Sequence, residues 1–326
     1  MRKALIVGID YYDEIASLSG AVRDALRVKK LLERNADGRV NFTQPRLMVA
    51  CHRDDRVSKS QLRHAAQSLF AEDVEIALFY FSGHGYIDVT GGYLCASDYS
   101  EGVGGLPLRD IMDFANNSPA KNKVILIDSC HSGSVASNSF DSRVAEIKEG
   151  VTVLTASTAD QYAMEKDGAG LFTSLLVDAL NGAASNLTGD ITPGSIYAHI
   201  DQSLGPWEQR PVFKTNVKKF ISLRTVAAPI RLEDLRRITE LFQDPETQLP
   251  LDPSYEPERS SCELTSVPAP DPRKNRDFAV LQAMAAVNLV RPVGVLHMWH
   301  AAMQSKSCEL TVLGKYYWSL VNKGLI

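Results

Sequence analysis

Two stretches decide how this chain reads: VEIALFYFSGHG, residues 74–85, and VILIDSCHSG, residues 124–133. Each opens with a run that is apolar at nearly every position, the pattern of a central strand covered on both faces. One ends in Ser82-Gly83-His84-Gly85 and the other in Asp128-Ser129-Cys130-His131-Ser132-Gly133. In open α/β sheets, ligand and catalytic groups collect in the crevice beyond the carboxyl ends of the strands, so His84 and Cys130 are expected to face each other there. The interval between them holds the crossover that two parallel strands require, with Leu108 to Phe114 as a helix candidate inside it. A thiol is a weak nucleophile until it ionises. An imidazole within hydrogen-bond reach can take its proton and later protonate a leaving amine. The glycines let backbone approach a substrate closely, and the amides of Gly85 and Cys130 are candidate donors to an oxyanion.

Working outward, short β-branched runs alternate with helix-period segments, which predicts an α/β fold with a mostly parallel sheet flanked by helices. Lys3 to Ile9, Arg46 to Ala50 and Val151 to Ala156 read as further strands. Short extended pieces are expected at Val212 to Lys214 and Phe220 to Leu223. Val22, Ala25, Leu26 and Leu32 recur at helical spacing, and Ser58 is expected to cap a helix carrying Leu62, Ala65, Ala66 and Leu69. Leu171 to Asn181 and Ser195 to Leu204 complete the helices of a domain over residues 1–225. Residues 226–272 are rich in proline and acids and read as a linker, with one helix at Leu232 to Phe242. Residues 273–326 regain periodicity as a small helical module. There basic residues outnumber acids, and Tyr316, Tyr317 and Trp318 form an aromatic cluster expected in its core.

Composition narrows the function classes. Of the 326 residues, 44% are hydrophobic and 23% charged, near globular averages, and a net charge of -4 argues against a general nucleic-acid or anionic-membrane binder. No stretch approaches the roughly 18 uninterrupted apolar residues of a membrane helix. Met1 to Ile9 reads as a strand, not a signal peptide, because Asp10 and Asp13 follow with no small-residue cleavage site. Five scattered cysteines, an odd number, suit a reducing, cytoplasmic setting.

The pairing of SGHG with DSCHSG resembles the caspase-like, C14-type cysteine peptidases, in particular the metacaspase branch. The resemblance covers roughly residues 3 to 224. It includes Ala4-Leu5-Ile6-Val7-Gly8-Ile9 and Leu18-Ser19-Gly20-Ala21-Val22-Arg23-Asp24-Ala25, similar to the family's first strand and the start of its first helix. It implies a caspase-hemoglobinase fold and peptide-bond hydrolysis by a Cys/His dyad, with Cys130 as nucleophile, His84 as base and Gly85 as an oxyanion donor. It also implies an S1 pocket floored by Asp24, Ser82 and Asp128, hence protein substrates with arginine or lysine at P1. Leu18 stands where true caspases have an arginine that selects aspartate. Family members often have cysteine where this chain has Ala21, and many carry an acidic calcium loop after the histidine motif. Here Tyr86 to Tyr93 contains only Asp88, which puts calcium dependence in doubt, and no cofactor is expected.

The resemblance places such proteins in regulated proteolysis, in microbial cell-death or defence settings. Leu310 to Lys315 resembles the closing part of a winged-helix domain, and a regulatory or partner-binding role for the C-terminal module is favoured over nucleic-acid binding. Ser134 to Gly150, polar and without strand period, reads as a surface loop whose Arg143 and Lys148 are candidate self-cleavage positions. A zinc site from Cys130, His131, His84 and Cys95 fits no known ligand spacing, and His131 is expected to point away from the thiol. Two alternatives stay open: a catalytically silent caspase-fold scaffold acting through its C-terminal module, and a cysteine hydrolase of another bond type.

Overall fold

A computed structural model describes residues 1–131, 147–156, 165–166, 169–205, 210–258 and 267–326, with the side chains of 130, 131, 165, 166, 169 and 170 left aside. The chain forms two units, Met1–Ala227 and Ala228–Ile326. In the first, β1 (Arg2–Ile9) is buried over its last six residues. Helix α1 (Ala21–Glu33) turns Ala21, Val22, Ala25, Val28 and Leu32 inward. After β2 (Arg46–Ala50), α2 (Lys59–Phe70) starts at the expected cap: Gln61 N–H donates to Ser58 Oγ while Gln61 Oε1 accepts from Ser58 N–H. Next come β3 (Ile76–Asp88), β4 (Gly91–Leu94), β5 (Leu106–Pro107), α3 (Leu108–Asn116), β6 (Asn122–His131) and β7 (Val151–Thr155). The short β8 (Glu165–Lys166) and β9 (Ala169–Gly170) pair with each other and lead into α4 (Leu171–Asp178). Then β10 (Asp190–Ile191), α5 (Pro193–Ser203), β11 (Val212–Asn216) and β12 (Arg224–Thr225) end the unit.

The central sheet runs β11-β7-β6-β3-β1-β2. Every neighbouring pair is parallel except β11 on β7. Because successive strand residues face opposite sides, the two apolar runs supply two cores. Leu5, Val7, Phe79, Phe81, Ile125 and Ile127 pack against α2 and α3, while Ile6, Leu78, Tyr80 and Leu126 pack against α1, α4 and α5. Among the described residues, no helix is long and apolar enough to cross a membrane.

Three expectations change. The strand expected to end with SGHG runs on to Asp88, because β4 folds back and pairs Gly85 to Asp88 with Leu94 to Gly91. The extended piece expected at Phe220 to Leu223 falls one step later, as β12 pairs with β10. The stretch 226–272, expected as a linker, is folded over its described residues with the second unit. There α6 (Leu232–Arg236), α7 (Ile238–Leu241) and β13 (Leu249–Pro250) precede α8 (Pro272–Ala286), β14 (Val290–Pro292), α9 (Met298–Met303), β15 (Ser307–Leu310) and α10 (Val312–Asn322). An antiparallel sheet runs β13-β15-β14, and Leu235, Ile238, Phe242 and Leu251 are buried along with Phe278, Leu281 and Cys308. Acids read as linker composition are ion-pair partners: Asp252 meets Lys274 Nζ at 2.6 Å, and Asp234 meets Arg231 Nε at 2.7 Å. Across 228–326 there are 12 acidic and 11 basic residues, so the basic excess of 273–326 is cancelled within its own unit. Tyr316 of the aromatic cluster is exposed, while half-buried Trp318 donates Nε1–H to Phe242 O at 2.6 Å.

Candidate active site

The register of β3 and β6 aligns Ser82 with Asp128 and His84 with Cys130, Cα to Cα. Neighbouring strands lie about 4.8 Å apart, so the two apolar runs deliver the expected base and nucleophile positions as direct neighbours. The side chains of Cys130 and His131, and residues 134–146 of the loop expected to be cleavable over Ser134 to Gly150, lie outside the described residues.

His84 is buried and held from the β1–α1 connection. Its backbone N–H donates to Tyr12 Oη at 2.7 Å, the two rings sit 4.8 Å apart at 51°, and Nε2 lies 2.8 Å from Ala16 O. A carbonyl only accepts, so Nε2 carries the hydrogen of the neutral ring and Nδ1 holds the basic lone pair. Tyr12 also explains Gly83, where a Cβ would stand 2.6 Å from the same hydroxyl. At Gly85 a Cβ would meet Ser129 Oγ and Tyr93 O at 3.0 Å, so β4 and β6 close over it on both sides.

The three residues expected in the S1 pocket come together on the face of α1 and α4. Asp24, in the first turn of α1, is 1% exposed, Ser82 is 4% and Asp128 is 6%. Between them stands the fully buried Tyr80. Burial pushes its hydroxyl well above the ordinary tyrosine pKa. The charges of Asp128 and, to a smaller degree, Asp24 push it the same way, against hydrogen bonds to Thr173 and Ser82. Asp24 Oδ1 meets Arg27 Nη1 at 3.3 Å. Asp128 Oδ2 accepts from the Thr173 hydroxyl at 2.5 Å and the Thr173 N–H at 3.2 Å. The site therefore brings buried His84 together with two buried, hydrogen-bonded carboxylates. Leu18 packs half-buried against the core with no charge to offer.

Sequence reading missed Asp10, Tyr12, Tyr80 and Thr173. Asp10 Oδ1 accepts the Ala21 N–H at 2.8 Å, fixing the start of the helix that carries Asp24. Asp10 lies ten positions before that helix's Gly20 N-cap, so no local capping pattern marks it. Tyr80 and Thr173 are the polar tips within otherwise apolar runs, and a buried polar tip needs a partner. Of the four residues of the alternative zinc reading, the side chains of Cys130 and His131 lie outside the described residues. Burial holds the Cys95 thiol at a pKa of about 12. Asp88 accepts from Thr90 N–H at 2.7 Å and Thr90 Oγ1 at 2.6 Å, so its carboxylate serves its own turn.

Comparison with known proteins agrees with this fold. The model of the Peptidase_C14 caspase-domain family matches residues 1–221. Protein GSU0716 from Geobacter sulfurreducens superposes with a TM-score of 0.51 at 14% identity, over 70% of this chain and 100% of its own. Caspase-1 from Spodoptera frugiperda superposes with a TM-score of 0.50 at 15% identity, over 69% of this chain and 90% of its own. Identities this low speak for the fold alone. No curated protein matches the chain.

Proposed function

The chain belongs to the caspase-domain family of C14 peptidases, and from that premise we propose that it is a cysteine endopeptidase that cleaves after arginine or lysine. The carrying observation is the register that aligns His84 with Cys130 while Ala16 O takes the Nε2 hydrogen. In this reading Nδ1 of His84 accepts the thiol proton of Cys130, the thiolate attacks the scissile carbonyl carbon, and the proton returns to the leaving amine. The amides of Gly85 and Cys130 receive the oxyanion. Water then releases the acyl group from the sulfur.

Two buried carboxylates favour a cationic P1 side chain and repel aspartate. Arg27 answers part of the Asp24 charge. Charge balance in residues 228–326 favours a regulatory or protein-docking role for the second unit over nucleic-acid binding. Matched peptides differing only at P1 test this reading. Cys130→Ala and His84→Ala each abolish amide hydrolysis with circular dichroism unchanged. Asp128→Ala lowers kcat/KM after arginine by up to about a thousandfold, since truncating one partner of a buried charge pair costs about 2–5 kcal/mol. Full activity in either dyad variant refutes the mechanism. Equal cleavage after aspartate in the wild type refutes the pocket.

A further inference from the structure

We infer that Thr173, with Tyr80 behind it, makes the Asp128 pocket prefer arginine over lysine by fixing the plane of the carboxylate; this rests on Asp128 receiving the P1 side chain. The Thr173 hydroxyl spends its proton on Asp128 Oδ2, so its oxygen accepts. Tyr80 Oη, 2.6 Å away, is therefore the donor, and the proton order is Tyr80 to Thr173 to Asp128. Burial and the nearby carboxylates keep the Tyr80 hydroxyl protonated, which maintains that order. Tyr80 and Thr173 are both 0% exposed, so bulk water does not compete for these bonds. The Thr173 N–H, in the first turn of α4, is a second donor to the same oxygen. A helix N-terminus favours a negative charge there as well.

A packing role alone does not account for this arrangement. Apolar residues fill a core more cheaply than a carboxylate and two hydroxyls, and the rest of α4 is mostly apolar. A threonine on a helix has few χ1 choices, and a carboxylate with one oxygen tied to two donors does not rotate freely. A guanidinium is a planar fork that matches a carboxylate in one plane. An ammonium is a point charge that needs no such plane. Thr173 is thus a positioning residue, and its loss weakens arginine more than lysine.

The full chain is assayed for kcat/KM with two peptides differing only in arginine or lysine at P1. It is also titrated calorimetrically with acetylated tripeptide amides ending in arginine or lysine, which requires no turnover. Thr173→Val lowers the arginine-to-lysine ratio about tenfold in both measurements, Thr173→Ser restores it, and Tyr80→Phe lowers it by a smaller factor. General damage to the fold lowers both substrates together and leaves the ratio in place. An unchanged ratio in Thr173→Val overturns the inference. Where that variant fails to fold, an unchanged ratio in Tyr80→Phe does so. If Asp128→Ala loses neither cation, the pocket reading itself fails. If it loses both while the Thr173→Val ratio holds, only the positioning role falls.

Discussion

His84 is anchored through a residue 72 positions away: the Tyr12 hydroxyl accepts its backbone N–H. Tyr12→Phe keeps the ring contact but leaves a buried N–H without that acceptor, which costs about 1–3 kcal/mol. The expected outcome is a fall of roughly 2–10 °C in thermal midpoint. A kcat drop of about tenfold accompanies it, with KM little altered, because the base shifts while the pocket stays. Calorimetry and steady-state kinetics read the two effects, and a variant that loses stability at full kcat separates Tyr12 from the chemistry. At this scale the sequence shows what is local. His84, Cys130 and Asp128 stand at the ends of obvious apolar runs, whereas Tyr12 and Thr173 reach their partners across 72 and 45 positions. Only the fold creates those contacts.

At the scale of elements, the approach of α1 to β1 depends on Gly8. A Cβ there would stand 2.6 Å from Ala21 O, 2.7 Å from Ala25 Cβ and 2.9 Å from Val22 Cα, and backbone on the facing side cannot yield cheaply. Gly8→Ala is expected to destabilise by about 1–3 kcal/mol through overpacking and to displace Asp24, so arginine preference weakens with stability. Gly102→Ala, with nothing within 4 Å, stays within about 0.5 kcal/mol. Urea unfolding of the two variants makes the comparison, and equal midpoints would deny Gly8 its role. Elements with a continuous apolar or 3.6-residue pattern, such as β3, β6, α1 and α2, were legible for that reason. The extension of β3 to Asp88 was not, because residues 82–88 are glycine-rich and polar and become strand only through pairing with β4. The helix expected at Leu232 to Phe242 was legible and is met by α6 and α7, but the packing of 228–258 with the second unit was not, because Leu235, Ile238, Phe242 and Leu251 are spaced among prolines and acids.

Across the whole molecule, among the described residues each unit carries one buried thiol that titrates far from its ordinary value. Burial raises both Cys95, in 1–227, and Cys308, in 228–326, from 9.0 to about 12. A thiol whose folded pKa is raised keeps its full stabilising effect below pH 9.0. As pH climbs from there towards about 12, the unfolded chain ionises while the folded one does not, and stability falls. The slope is about 1.4 kcal/mol per pH unit for each thiol. Cys95→Ala should flatten the alkaline loss of stability in the first unit and leave that of the second, and Cys308→Ala should do the reverse. Urea titrations between pH 8 and pH 11 follow this in a Trp207→Phe background, with the fluorescence of Trp299 and Trp318 reporting on the second unit and peptidase activity on the first. Cys308→Ala with an undiminished alkaline slope in the tryptophan signal would show that the second unit does not keep its thiol protonated through burial. The same outcome for Cys95→Ala in the activity signal would show it for the first. If either replacement flattened both signals together, the two units would be unfolding as one cooperative body.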